Sequence, residues 1–179
     1  MGLFRKRTTR SDPPSDAHAE PSGSPESGPA LRDRFTELAA AVGAAPGGPA
    51  MGEFWKAVYD LDEWYFIPST PPGEDVDEAM DRGRALGPLI ALIDGKRYVA
   101  AFTSEARALA CAKAYGLAAI GDGFAILSMS RDSGAAYLCR LPDDTADGVI
   151  FNHNRGESGM TAPLDNVAGM YEHFLERIP

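Results

Sequence analysis

Asp94-Gly95, set between the apolar runs Leu89–Ile93 and Tyr98–Phe102, constrains this chain more than any other pair of residues. Asp-Gly accepts the positive φ angles of a two-residue type I′ loop, so it predicts a β-hairpin and fixes its register. Ile93 then faces Lys96, Ala91 faces Tyr98, and Leu89 faces Ala100. One face carries Leu89, Ala91, Ile93, Tyr98, Ala100 and Phe102; the other carries Ile90, Leu92, Val99 and Ala101, with Arg97 near the turn. Apolar residues on both faces predict a strand pair covered, at least in part, on both sides. Thr103 or Ser104 then offers an N-cap oxygen and Glu105 a first-turn carboxylate, while Gly116 suits a left-handed C-cap. A helix over the intervening residues follows.

The rest of the chain is placed around this unit. Leu31, Phe35, Leu38 and Val42 recur at helical spacing, which predicts a helix over 30–42 ending at Gly43, then a loop, AAPGGPAMG. A second helix begins near Glu53, with Phe54, Val58 and Leu61 on one face and Trp55 and Tyr59 on another. WYFIP is extended, with Trp64 and Phe66 opposite Tyr65 and Ile67. The acidic connection over 69–87 lacks the Gly-centred alternation of a calcium loop and reads as a solvated loop with a helical turn at 76–83. Its length also suits an interaction role. Leu117–Ile120 suggests a short strand parallel to 96–102 after a right-handed crossover. GDG at 121–123 is a turn, 124–129 a strand, Ala135–Leu141 a short helix stopped before Pro142, 148–152 a strand and MTAPL another. A last helix starts near Asp165 as N-cap and buries Val167, Met170, Tyr171, Phe174 and Leu175. The expected fold is a single α+β domain over 30–179, its mixed sheet built around the hairpin and packed with helices.

Residues 1–29 stand apart from that domain. Half of SDPPSDAHAEPSGSPESGPA is Pro and Ser and none of it is a large apolar residue, so burial cannot offset its ordering entropy and it reads as a disordered linker. Ahead of it, Leu3 and Phe4 sit beside Arg5, Lys6 and Arg7. Either this is a solvated terminus, or it touches an anionic membrane surface reversibly, at ~1 kcal/mol per basic residue. Lys6 stands where a myristoylation signal needs Ser or Thr. No apolar run approaches the ~18 residues that span a bilayer, and the basic start is not followed by an apolar secretory segment, so a cytoplasmic protein is expected.

Charge narrows the partners. Net charge is −9, but the four bases in residues 1–10 leave 13 basic against 26 acidic residues, or −13, on the remainder. Such a body repels phosphate backbones, so no nucleic-acid partner is expected. Cys111 and Cys139 fall in expected helices without metal or redox spacing, and read as reduced, mostly buried thiols.

Catalytic signatures do not emerge. Gly156-Glu157-Ser158-Gly159 misses the second glycine of a nucleophile elbow by one position, and no Walker loop, zincin motif or Cys-x-x-Cys pair occurs. No cofactor and no metal is implied. His173 reads as a surface or half-buried helix residue. Asn152, His153, Asn154 and Arg155 place four polar side chains at a strand-to-turn junction, where they either bind an anion or partner carboxylate or simply satisfy local backbone groups. Trp55 and Trp64, with their aromatic neighbours, form either a recognition surface or core.

DGKRYVAAFTSEARA resembles the core motif of the SseB protein N-terminal domain family, a bacterial family named for an enhanced-serine-sensitivity phenotype. FWKAVYDLDEWYFIP is similar to that family's opening helix and extended segment ending in Pro, and GVIFNHN to its late strand and turn. The resemblance spans roughly 54–174 in matching order, except that His153 stands where the family usually has Pro, which loosens that turn. It implies a fold more than an activity. The expected role is a non-enzymatic protein-interaction or regulatory domain. Two alternatives stand beside it: a sensor of amino-acid-related metabolites with its site formed by the 152–155 turn and the sheet edge, and a peripheral membrane adaptor acting through residues 1–10. An enzyme ranks last.

Overall fold

The computed structural model describes residues 29–70, 79, 81, 82, 86–117, 124–155 and 159–175, with side chains for those between Arg34 and Phe174. The basic terminus with Leu3 to Arg7, the Pro/Ser linker, the middle of the acidic connection, 118–123 and the Gly156–Ser158 stretch lie outside the described residues.

The chain is α+β. Helices α1 (Pro29–Ala44) and α2 (Pro49–Tyr59) lead into strands β1 (Glu63–Phe66) and β2 (Pro68–Ser69). Next come β3 (Gly87–Pro88), β4 (Ile90–Ile93), β5 (Lys96–Phe102), helix α3 (Glu105–Tyr115), β6 (Leu127–Ser130) and helix α4 (Arg131–Cys139). Strands β7 (Gly148–Phe151) and β8 (Met160–Pro163) and helix α5 (Asp165–Leu175) complete it. The main sheet runs β6-β1-β5-β7-β8 with β4 also on β5, and among the described residues only the β5–β7 pair is parallel. Strands β2 and β3 pair separately at the mouth of the acidic connection.

The hairpin has the expected form. Asp94 (φ 51°) and Gly95 (φ 78°) both take the left-handed backbone of a type I′ loop, and Ile93 pairs with Lys96 and Ala91 with Tyr98. Ser104 is the N-cap of α3, its side chain accepting from the Arg107 N–H, and Gly116 closes the helix at φ 61°. Both faces of β5 are covered. Val99 and Ala101 join a core formed with α1, α2, α4 and α5, whereas Ala100 and Phe102 pack with Ala108, Cys111 and Ala112 of α3. Coverage stops at the hairpin tip: Leu92 is 73% exposed, and among the described strands β4 pairs with β5 alone.

Several boundaries differ from the sequence expectation for local reasons. Helix α1 runs through Gly43 to Ala44. Helix α2 starts at Pro49 rather than near Glu53, because Pro is favoured where the first-turn N–H has no helical partner. Strand β6 starts three residues later than expected and ends one later, and α4 begins at Arg131 because Ser130 caps it by accepting from the Ser133 N–H. Cys139, at the end of α4, is exposed, unlike Cys111. Asp165 is the first residue of α5 rather than its cap. Among the described residues the parallel partner of β5 is β7; the strand expected at 117–120 lies, beyond Leu117, outside them.

Candidate functional site

The parallel pair of strands creates the site. Ala101 lies opposite Phe151, so β5 and β7 end at the same level, and the next residues along each strand meet. Asn152 donates its backbone N–H to Ala101 O at 2.9 Å and then turns into the left-handed region (φ 59°), which Asn tolerates better than most residues. That turn brings its carboxamide back over the end of β5. Asn152 Oδ1 accepts from both the backbone N–H and the Oγ1 of Thr103, each at 3.0 Å. Thr103 is 4% exposed, so these bonds satisfy donors that water does not reach.

A first-turn arginine spans the same strand ends. Arg107 sits one turn into α3, and its Nη2 donates to Thr36 Oγ1 of α1 at 2.9 Å. Arg107 also lines a cleft of ≈ 230 Å³. It is lined by Thr36 of α1, by Ala106 and Ala110 of α3 and by Asn152, His153 and Asn154 of the turn. The adjoining turn is braced from outside. His153 Nε2 lies 2.8 Å from the Tyr115 hydroxyl, the two rings stack with centroids 5.7 Å apart, and the Arg155 guanidinium carbon sits 5.7 Å from the Tyr115 ring centre. Asn154 Oδ1 accepts from the Arg155 N–H at 2.8 Å. Burial holds the His153 imidazole below its usual range, so at neutral pH the ring is uncharged and carries one proton.

The described lining therefore combines two carboxamides, a hydroxyl, an imidazole and a guanidinium with two alanine methyl groups. None of its described lining residues is acidic.

No protein-family model and no curated protein matches the chain.

Of the residues singled out from sequence, Asn152, His153 and Asn154 line the cleft, and Arg155 braces it through Tyr115. Trp55 and Trp64 do not belong to it. They are 6% and 0% exposed, and Trp64 Nε1 donates to Val58 O at 3.0 Å. Both rings meet Phe151 edge-on, at 5.8 and 5.1 Å, within an aromatic chain that continues to Phe35 on one side and Tyr59 on the other. Their role is packing, and a partner would have to open the core to touch them. Thr36, Thr103, Arg107 and Tyr115 are the residues that sequence reasoning passes over. The one signal for Arg107 is its place a turn after the Ser104 cap, at the C-terminal end of a strand with a parallel neighbour, where ligands of open sheets collect.

Other chemistry is limited. Among the described residues no group of three His, Cys, Asp or Glu is arranged to hold a metal ion. Also among them, no helix is long and apolar enough to cross a membrane. Cys111 is buried and its thiol is pushed up to about 11 by burial, which keeps it protonated and a poor nucleophile. Ser104 Oγ is engaged as a helix cap.

Proposed function

We propose that this chain is a non-enzymatic regulatory domain, SseB-like in character, that recognises its target in the cleft at the ends of β5 and β7. What carries the reading is the pair of hydrogen bonds from Thr103 to Asn152 Oδ1, which presets the 152–154 turn against Arg107 before anything binds. Binding then orders little further, and a preorganised site loses less affinity to ordering. The polar side chains that line the cleft suit recognition through hydrogen bonds, and the one base among the described lining residues, His153, has its Nε2 within hydrogen-bond distance of the Tyr115 hydroxyl. The acidic body favours a cytoplasmic protein or metabolite partner over nucleic acid, since its net charge repels phosphate backbones.

A second reading, a metabolite sensor, draws on the size of the cleft. Its ≈ 230 Å³ is smaller than drug-sized pockets, which begin near ~300 Å³. The two readings join if a small ligand in the cleft controls what the domain docks with.

A photo-crosslinking side chain at Ala110, inside the cleft, tests the proposal against the same group at Glu172, exposed on α5. In the native cell, adducts should form from position 110 and not from 172. Equal yields from both, or none from 110, would overturn it.

A further inference from the structure

We infer that the His153 side chain is a proton-operated latch on the cleft: uncharged, it is seated on Tyr115 and forms part of the lining, and a second ring proton unseats it. The inference rests on reading the cleft as the recognition site and adds how that site is regulated.

The position of the ring sets up the latch. His153 belongs to the cleft lining and also reaches the last residue of α3, where its Nε2 lies 2.8 Å from the Tyr115 hydroxyl and the two rings stack at 29°. While the imidazole is uncharged with its proton on Nδ1, Nε2 accepts from that hydroxyl. A second proton makes both ring nitrogens donors, so the bond can no longer run in that direction. Tyr115 is 40% exposed, so protons from solvent reach the pair directly.

The surroundings work against a charged ring in that seat. The Arg155 guanidinium carbon lies 5.7 Å from the centre of the same Tyr115 ring, so a charged His153 would share that ring with a second cation. The other groups around the histidine do not offset this. Tyr115 and Arg107 of α3 and Thr36 of α1 carry no negative charge to it, and none of the described lining residues is acidic. Burial lowers the pKa of the seated ring, whereas an unseated ring regains water. Acid therefore favours the unseated ring.

The rest of the site stays in place. Asn152 holds the strand ends together through Ala101 and Thr103, and none of those groups titrates between pH 5 and 8. Acidification thus changes one side of the cleft without parting β5 from β7.

The test is a proton NMR titration of the full chain from pH 7.5 to 5.0, with the His153 ring signal assigned by its absence from His153→Phe. Its midpoint should lie below about 6.5. The through-space cross-peaks between the His153 and Tyr115 rings should fade along the same curve, while the Thr103 amide signal holds its position. Arg155→Gln removes the second cation from an exposed site and should raise the midpoint by roughly 0.2–0.4 of a pH unit, whereas Arg155→Lys should leave it near the parent's. Tyr115→Phe keeps the ring but loses the hydroxyl that holds Nε2, and should raise the midpoint as well. Cross-peaks that persist to pH 5.0, or a midpoint that neither Arg155→Gln nor Tyr115→Phe raises, would overturn the inference. Should the rings stay together at pH 5.0 while Ala110 still forms adducts in cells, the latch is wrong and the recognition reading survives. Should the rings part while Ala110 forms no adducts, the recognition reading falls and the regulatory role falls with it.

Discussion

Asn152 Oδ1 and Thr103 are joined twice, through the threonine's backbone N–H and its hydroxyl, both at 3.0 Å. The bonds tie the end of β7 to the end of β5 and hold a non-glycine residue at φ 59°. Asn152→Ala strands two buried donors and keeps the strained Cβ, so unfolding free energy should fall by about 2–4 kcal/mol. Asn152→Gly loses the same bonds but relieves the backbone, and should be about 1 kcal/mol less damaging. Urea denaturation of both variants checks the order. Glycine as the worse substitution would mean that the left-handed backbone is not under strain.

The hairpin loop supplies an independent check. Gly95 sits at φ 78° with open space where a Cβ would go, so Gly95→Ala should cost about 1–2 kcal/mol through backbone conformation alone. Asp94→Asn, also tolerant of positive φ, should stay within about 0.5 kcal/mol of the parent. Denaturant midpoints measured side by side would show it.

The pairing of β7 with β8 leaves no room at Gly148. A Cβ there would lie 2.5 Å from Ala162 O and 3.0 Å from the Tyr98 ring, and the backbone oxygen belongs to the paired strand β8. Gly148→Ala should therefore destabilise by about 3 kcal/mol, the upper part of the range for overpacking. A calorimetric melting scan unchanged from the parent would contradict that spacing.

How much of this was legible in sequence depends on how local the governing rule is. The hairpin, its register, and both caps of α3 follow from adjacent residues, and the structure has them where the sequence places them. Helix α4 was obscured because Ser133 and Gly134 look like loop. The glycine is there for packing: a Cβ at 134 would lie 2.9 Å from Trp64 Cε3, a tertiary reason no local pattern carries. The polar turn 152–155 was visible as four consecutive polar side chains. Its partners were not, because Arg107 reaches Thr36 across 71 positions and Tyr115 reaches His153 across 38. The parallel pairing of β5 with β7, 46 or more positions apart in sequence, is what sets the start of α3 beside Asn152, and no local pattern carries it.

His153 should make stability fall on the acid side. Burial lowers its folded-state pKa below the unfolded value of about 6.5, so between those two values the unfolded chain binds more protons. The contribution of His153 is fully present above about pH 6.5 and is lost as pH falls from there toward the folded pKa. His153→Phe keeps a ring against Tyr115 but cannot titrate. Melting temperatures at pH 7.5 and 5.5 should drop less for the variant than for the parent. Equal drops would assign the acid sensitivity to other groups.

The two thiols should separate cleanly. Cys139 is exposed, whereas Cys111 is 0% exposed with its thiol pushed up to about 11. An aromatic disulfide reagent at pH 8 should modify Cys139 in the native protein and Cys111 only after denaturant is added. Modification of both at one rate would mean that the α3 face of the sheet is open.

Recognition at the ends of β5 and β7 is the central claim. The most direct measurement is amide chemical-shift mapping of the labelled protein on adding the low-molecular-weight fraction of a native cell extract. Perturbations gathered at 103–110 and 152–155, and absent from the same experiment with Asn154→Asp, are the predicted result. Perturbations confined to α5 or the β4–β5 hairpin, or none at all, would contradict it.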